Sequence, residues 1–285
     1  MCDELTEADN ERFLANEARR QADAGAAGIA VLPSPADAVP VTVAHVSIPT
    51  SDGTADAFFV APAQGTHPAV LVWPDVMGLR PAFEQMGRRL AESGYAVLVV
   101  NQFYRGTKAP FLKHGEDWRQ PEVSAKMMPW RQALTPAATA SDARAFITWL
   151  DKQKAVDTDR GVGITGYCMG GPMTMITAAA RPDRVRAAAS FHGTEIATDK
   201  PDSPHLQVEK MKAQFLFAIA ENDDQRNPQE KEMVRAAFAA AMLPAEIEVY
   251  NGAMHGWCPP DSRAYNQAQA EKAWARQFAL FKRAL

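Results

Sequence analysis

The chain has 285 residues, of which 47% are hydrophobic and 22% charged, with a formal net charge of −4 at pH 7. These globular proportions argue against a disordered protein, and the acidic balance gives no basis for binding nucleic acid or an anionic membrane. No apolar run is long enough to cross a bilayer. Three cysteines, Cys2, Cys168 and Cys258, are too few for a disulfide framework and favour a reducing compartment.

Residues 1–40 are predicted to form an N-terminal arm or helix. Arg19 and Arg20 precede a weakly apolar run at 24–32 and small residues at 36–38, a pattern similar to a twin-arginine export signal. Asp23 interrupts this pattern, and no bulky apolar residue follows the arginine pair closely. We therefore expect a cytoplasmic protein, with export through a degenerate signal as the alternative.

The next 60 residues contain four predicted strands. Strands over 41–48 and 57–61 flank the turn signal Ser51-Asp52-Gly53, as in an antiparallel hairpin. The apolar runs 69–73 and 96–100 have the composition of strands buried on both faces. A helix between them ends at Gly94.

The rest of the chain alternates between strand and helix patterns. Strands are predicted over 161–167, 187–191, 214–220 and 246–250, and helices over 137–153, 173–180, 229–242 and 263–285. Such alternation implies one α/β domain over 41–285, with a mostly parallel sheet covered by helices on both faces. A long irregular insertion at about 106–134 is expected to be functional, for example as a lid.

Cys168 is the predicted nucleophile. It lies in Gly166-Tyr167-Cys168-Met169-Gly170-Gly171, between a strand and a helix, which is the nucleophile-elbow pattern with cysteine in place of serine. Small residues two positions on either side allow the tight turn. The turn also places the thiol at a helix N-terminus, where thiolate is favoured.

His255 follows the final predicted strand and is the expected general base. A carboxylate that orients it is expected after the strand ending at Ala220, where Asp223 is preferred and Asp224 is the alternative. The order nucleophile, acid, histidine is the order of α/β-hydrolases. His192 also follows a strand end and is expected to line the pocket.

An oxyanion hole is predicted from two backbone N–H groups. One belongs to Met169, the residue after the nucleophile, and the other to Val76 or Met77 in the loop after the first buried strand. With Cys168 and His255, these groups predict acyl transfer through a thioester.

From about residue 41 to its end, the chain resembles the dienelactone hydrolase family, which has the α/β-hydrolase fold. The resemblance rests on the Cys168 and His255 motifs, Ala220-Glu221-Asn222-Asp223, Pro74-Asp75-Val76-Met77-Gly78 and Phe103-Tyr104-Arg105. It implies hydrolysis of small lactones and esters, with no cofactor or metal.

The resemblance also implies two further roles. Asp75 takes the place of a family glutamate that interacts with the resting thiol, and Arg105 matches an arginine for the substrate carboxylate. A second family arginine, four residues after the histidine, is replaced here by Pro259, and Arg263 is the nearest substitute. The absence of a second matching arginine predicts a weaker preference for anionic substrates than in the family's best-known members.

Two other functional classes remain open at this point. A thiol-based redox protein would use Cys168, with Cys258 as the one candidate resolving cysteine near His255. A non-catalytic binding protein on a hydrolase scaffold is the other alternative. A Cys168–Cys258 disulfide would favour the former, and intact candidates for every catalytic role argue against the latter.

Overall fold

The computed structural model describes Asn10 and residues 35–113 and 116–285. Its centre is a sheet of eight strands in the order β1-β2-β4-β3-β5-β6-β7-β8. The strands are β1 Val41–Thr50, β2 Gly53–Pro62, β3 Ala69–Trp73, β4 Ala96–Val100, β5 Val162–Tyr167, β6 Val185–Phe191, β7 Gln214–Ala220 and β8 Ala245–Tyr250. β1, β2 and β4 pair antiparallel, and the remaining neighbours pair parallel. The predicted mostly parallel sheet with an N-terminal hairpin is confirmed.

Helices cover both faces of the sheet. They are α1 Pro81–Glu92, α2 Pro121–Gln132, α3 Pro136–Leu150, α4 Gly170–Ala180, α5 Glu221–Arg226, α6 Pro228–Ala240 and α7 Gln267–Ala284, with a 3-10 helix at Pro204–Lys210. Side chains alternate along the central strands. Val70 and Val72 of β3 face the core formed with α1 and α7, whereas Leu71 and Trp73 face the core formed with α3, α4 and α6.

The insertion at 106–134 differs from the prediction. Its second half forms α2, a 12-residue helix, where the sequence predicts irregular structure. The helix has almost no amphipathic pattern and carries Pro129 inside it, so periodicity could not reveal it. Trp130 anchors α2 by packing against Phe103 and Phe111. Tertiary packing therefore stabilises a helix that local sequence signals do not indicate.

Two further sequence predictions concern the N-terminal region and the absence of a membrane span. The proposed export signal and most of the N-terminal arm lie outside the described residues. Within the described part of the chain, no helix combines the length and apolar character that a bilayer span needs.

Candidate active site

The turn after β5 holds Cys168 in an unusual backbone conformation. Cys168 has a φ of 55°, in the left-handed region that non-glycine residues seldom occupy. A Cβ atom on Gly166 would lie 2.1 Å from the Gly170 carbonyl oxygen, and one on Gly170 would lie 2.3 Å from the Trp73 carbonyl oxygen. The glycines are therefore required by close backbone packing, as the elbow pattern predicts.

A cavity of about 210 Å³ lies at the carboxyl ends of the parallel strands. Cys168, His255, His192 and Val76 are among its lining residues. Cys168 is 2% exposed and His255 is 3% exposed, so both reactive side chains lie within the protein beside this cavity. In open α/β sheets this edge is where binding sites form.

The loop after β7 supplies the acid that contacts His255. Asp223 Oδ2 lies 2.6 Å from His255 Nδ1, and both side chains are buried. Asp224 instead pairs with Lys231, on the adjacent helix α6. Of the two candidate acids, Asp223 is the one in contact with the histidine.

The backbone of His255 is held by a closed ring of hydrogen bonds. His255 N donates to Asn222 Oδ1 at 2.9 Å, Asn222 Nδ2 donates to Asn10 Oδ1 at 3.1 Å, and Asn10 Nδ2 donates to the His255 carbonyl oxygen at 2.8 Å. Sequence reasoning missed both asparagines. Asn222 lies in the acidic motif Glu221–Asp224, where the pattern indicates a role for the carboxylates alone. No sequence pattern indicates a role for Asn10.

His192 adjoins both Cys168 and His255. The Cys168 backbone N–H donates to His192 Nδ1 at 3.1 Å, so the ring proton of the neutral imidazole is on Nε2. Burial, reinforced by the nearby His255, holds the pKa of His192 well below its ordinary value of 6.5. The buried Nε2 atom has no hydrogen-bond partner among the described residues. His192 is thus a neutral imidazole with one unused donor.

Asp75 lies in an ion cluster at the cavity wall. Arg80 donates to both Asp75 oxygens, at 2.7 and 2.9 Å, and also binds Asp261 through Nε and Nη2. Asp75 Oδ1 accepts a further bond from the Met77 backbone N–H at 2.9 Å. The Asp75 carboxylate is therefore engaged by Arg80 and its own loop, an arrangement that its sequence position did not predict.

The hydrogen bond from the Met77 N–H to Asp75 also affects which backbone amide is available for an oxyanion hole. Because the Met77 N–H donates to Asp75, Val76 is the better candidate of the two. The amides of Val76 and Met169 donate to no residue in the described ranges. Val76 lines the cavity, and Met169 follows Cys168 at the start of α4.

Arg105 is placed differently from the carboxylate-binding role that the resemblance implied. Its guanidinium binds both oxygens of the fully buried Asp142, at 2.7 and 2.8 Å, and Asp52. It is absent from the residues that line the Cys168 cavity, which do include Arg263. Arg105 therefore joins the β1–β2 turn to α3 through its ion pairs with Asp52 and Asp142.

Cys258 and Cys168 are in different chemical states in this structure. Cys258 is a free cysteine, 3% exposed, and burial raises the pKa of its thiol well above the ordinary value. Cys168 is disulfide-bonded in this structure. Because Cys258 is free, this structure contains no Cys168–Cys258 disulfide. Among the described residues no group of three or more His, Cys, Asp or Glu side chains is placed to hold a metal.

Comparison with known proteins places this site in a family context. The family model for the dienelactone hydrolase family matches residues 55–285. A carboxymethylenebutenolidase of Rhodococcus opacus is 25% identical over 255 residues, covering 86% of this chain and 94% of the relative. A protein of Bradyrhizobium named probable 2-oxo-3-(5-oxofuran-2-ylidene)propanoate lactonase is 27% identical over 238 residues, covering 80% and 89%.

The fold comparison agrees with the sequence comparison. A crystal structure from Klebsiella pneumoniae, assigned as a dienelactone hydrolase, superposes with a TM-score of 0.74 at 24% identity, covering 85% of this chain and 99% of that one. The fold predicted from the sequence is thus confirmed as the α/β-hydrolase fold. The chain belongs to the dienelactone hydrolase family and is a hydrolase of the ester- and lactone-cleaving kind.

Proposed function

We propose that the protein hydrolyses small esters or lactones by acyl transfer to Cys168. One observation carries the proposal: Cys168, on its strained turn, and His255, whose Nδ1 contacts Asp223, line the same cavity. The names of the relatives, a carboxymethylenebutenolidase and a lactonase, support a small lactone as substrate class.

The reaction requires Cys168 in its reduced form. His255 Nε2 accepts the thiol proton, and the thiolate attacks the carbonyl carbon to form a tetrahedral oxyanion. Collapse of this intermediate forms the thioester and breaks the bond to the leaving oxygen, which receives the proton from His255. Water, deprotonated by His255, then cleaves the thioester and releases the carboxylate product.

Each neighbouring group has a defined part in this reaction. Asp223 fixes the tautomer of His255 and stabilises the imidazolium that forms transiently. The Met169 and Val76 amides would bind the oxyanion. His192 Nε2–H, the unused donor beside the cavity, would hydrogen-bond to a substrate oxygen. None of these steps uses a cofactor.

The test is hydrolysis of a panel of p-nitrophenyl esters and small lactones by the reduced enzyme. Cys168→Ala should lower kcat/KM by about a thousandfold or more, because the nucleophile is lost. Cys258→Ala is the matched control and should retain near wild-type activity. Retention of more than about a tenth of kcat/KM by Cys168→Ala would sink the nucleophile assignment.

A thiol-redox function is the second candidate, and the disulfide at Cys168 is the observation that favours it. Such a protein would reduce peroxide through a sulfenic acid at Cys168, with an added thiol such as dithiothreitol as the electron donor, or exchange disulfides, while hydrolysing no ester. A reduced enzyme that turns over peroxide and fails on the whole ester and lactone panel would support this candidate and exclude the hydrolase. Failure in both assays would favour the non-catalytic binding protein.

A further inference from the structure

A second cavity, of about 480 Å³, lies beside the turn that carries Cys168. Its lining residues come mainly from the end of α2, the start of α4 and the loop after β6, and it is open to solvent on one side. Its wall is largely apolar, with Leu134, Met173 and Ile176 among the lining residues. Met169 also lines it, whereas Cys168 and His255 line only the smaller cavity described above. The volume falls within the range of about 300–1,000 Å³ that is typical of small-molecule sites.

One charged side chain in this wall lacks a partner. Arg131, at the end of α2, is half-buried, and its guanidinium makes no hydrogen bond or ion pair with any residue in the described ranges. Its Nε atom is fully shielded from solvent. A buried N–H without a hydrogen-bond acceptor is energetically costly, and the two terminal nitrogens of Arg131 are not among the buried unpaired atoms, so they can reach a ligand.

The comparison with other arginines makes this position distinctive. Five arginine side chains of low exposure each pair with a carboxylate: Arg80 with Asp75, Arg89 with Glu271, Arg105 with Asp142, Arg181 with Asp183, and Arg184 with Asp151. Unlike these five, Arg131 has no carboxylate partner among the described residues; Arg88, which lies over the Phe58 ring, and Arg186, which binds carbonyl oxygens, are the other half-buried arginines without one. Burial lowers its pKa, and the nearby Glu195 only partly offsets that effect.

The other charges around the cavity do not neutralise Arg131. Glu195 is within hydrogen-bond distance of Lys200, at 3.4 Å, so its charge is shared with that lysine. Asp202 also lines the cavity but is exposed. A largely apolar cavity that ends at a guanidinium without a hydrogen-bonded carboxylate is complementary to a ligand with an apolar body and one anionic end.

We propose that this second cavity binds a small amphipathic carboxylate, with its carboxylate on Arg131 and its apolar body against Leu134, Met173 and Ile176. A planar carboxylate can accept two parallel N–H bonds from the guanidinium and supply the missing acceptors. The site is separate from the reaction proposed for Cys168, so it does not depend on that reaction being correct.

Hexanoate is a suitable probe, with hexanamide as its uncharged analogue. Binding is measured on reduced Cys168→Ala enzyme by NMR of methyl-labelled methionines, which removes turnover as a complication. Met128 and Met173 line the second cavity, Met77 lines the Cys168 cavity, and Met242, 90% exposed, reports non-specific effects. Saturable shifts at Met128 and Met173 are expected, and shifts confined to Met77 would overturn the proposal.

Charge dependence is tested with Arg131→Ala and Arg131→Gln, and the exposed Arg144→Ala on α3 is the matched control. The Arg131 variants should weaken hexanoate binding about tenfold or more, because charge-assisted hydrogen bonds are lost, while Arg144→Ala should not. Hexanamide should bind wild type as weakly as hexanoate binds the variants. If Arg131 served only to stabilise the end of α2, its variants would change the melting temperature and leave the hexanoate affinity unchanged, and the proposal would fail.

Discussion

Two polar clusters at the same edge of the sheet use their charged groups in opposite ways. The reaction cluster, Cys168, His255 and Asp223, follows β5, β7 and β8. The hairpin cluster consists of Tyr104 and Arg105, which follow β4, together with Asp52 and Asp142. Arg105 binds both aspartates, and Tyr104 donates to Asp142 at 2.8 Å. Both are largely buried and both contain short ionic contacts, so strand-end position and burial alone do not distinguish a reactive site from a structural one.

The difference lies in unused hydrogen-bonding capacity. In the hairpin cluster, both Asp142 oxygens are bound, and the guanidinium of Arg105 donates through Nε and both terminal nitrogens. Beside the reaction cluster, His192 Nε2 has no hydrogen-bond partner among the described residues, and within it Asp223 Oδ1 has only a 3.9 Å ion-pair contact with Arg226. Saturated charges hold elements together, whereas a buried polar atom that remains unpaired next to a cavity, here His192 Nε2, is available to a substrate.

The largest expected contrast is between two adjacent carboxylates. Asp223→Asn should lower kcat by about 10²–10⁴-fold, because the amide no longer fixes the His255 tautomer or stabilises the imidazolium. Asp224→Asn should stay within about threefold of wild type, since Asp224 pairs with Lys231 on the surface side of the helix. Steady-state hydrolysis of a p-nitrophenyl ester by the reduced variants measures both effects. A reversal of the two values would reassign the acid.

The hairpin cluster should affect stability more than catalysis. Arg105→Ala leaves Asp142 buried and without its cation, which should lower the free energy of unfolding by about 3–5 kcal/mol. At a temperature where the variant is folded, kcat/KM for neutral and for carboxylate-bearing substrates should fall by the same small factor. Urea unfolding and paired substrate assays measure the two quantities.

A selective rise in KM for carboxylate-bearing substrates alone would contradict this account of Arg105. It would restore the carboxylate-binding role that the family resemblance implies. Arg144→Ala, an exposed arginine on the same helix as Asp142, serves as the control for removing one positive charge.

The smallest expected effect concerns His192 and pH. Its pKa is lower in the folded protein than in the unfolded chain, because burial and the nearby His255 disfavour its charged form. Below an unfolded-state pKa of about 6.5, the unfolded chain therefore binds more protons than the folded protein. The free energy of unfolding should then fall by up to about 1.4 kcal/mol for each unit by which the pH is lowered. This contribution is fully present above that pH and is lost as the pH falls toward the folded-state value.

The matched comparison is wild type against His192→Gln, unfolded in urea at pH 7.5 and pH 5.5. The variant should lose less stability than wild type over this interval, because it lacks the buried imidazole. Parallel pH dependences in the two proteins would show that His192 is not the titrating group.

The sequence predicts those parts of the molecule that depend on strand pattern and tight turns. The sheet, the hairpin, and the positions of Cys168 and His255 follow from apolar runs and from glycines that the elbow requires. The choice of Asp223 over Asp224 needs the helix geometry of α5, which turns one carboxylate to His255 and the other to Lys231.

The features that sequence analysis missed depend on contacts between distant segments. Arg80 joins Asp75 to Asp261, which is 181 positions away, and Asn10 meets His255 across 245 positions. Arg105 lies in the matching motif after a strand end, but its guanidinium is bound by Asp52 and Asp142, which belong to other elements. No local pattern specifies such pairings, which depend on the assembled tertiary structure.

The most direct test of the central claim is to trap the acyl-enzyme. Reduced His255→Gln enzyme is mixed with p-nitrophenyl butyrate and acid-quenched, and the intact and peptide masses are measured. Cysteine can attack an activated ester with little base assistance, whereas deacylation needs water activated by His255, so the intermediate should accumulate. We expect one butyryl group on the peptide containing Cys168, removable by hydroxylamine and absent from a Cys168→Ala, His255→Gln double variant. A butyryl group on another residue, or equal labelling of the double variant, would contradict Cys168 as the nucleophile.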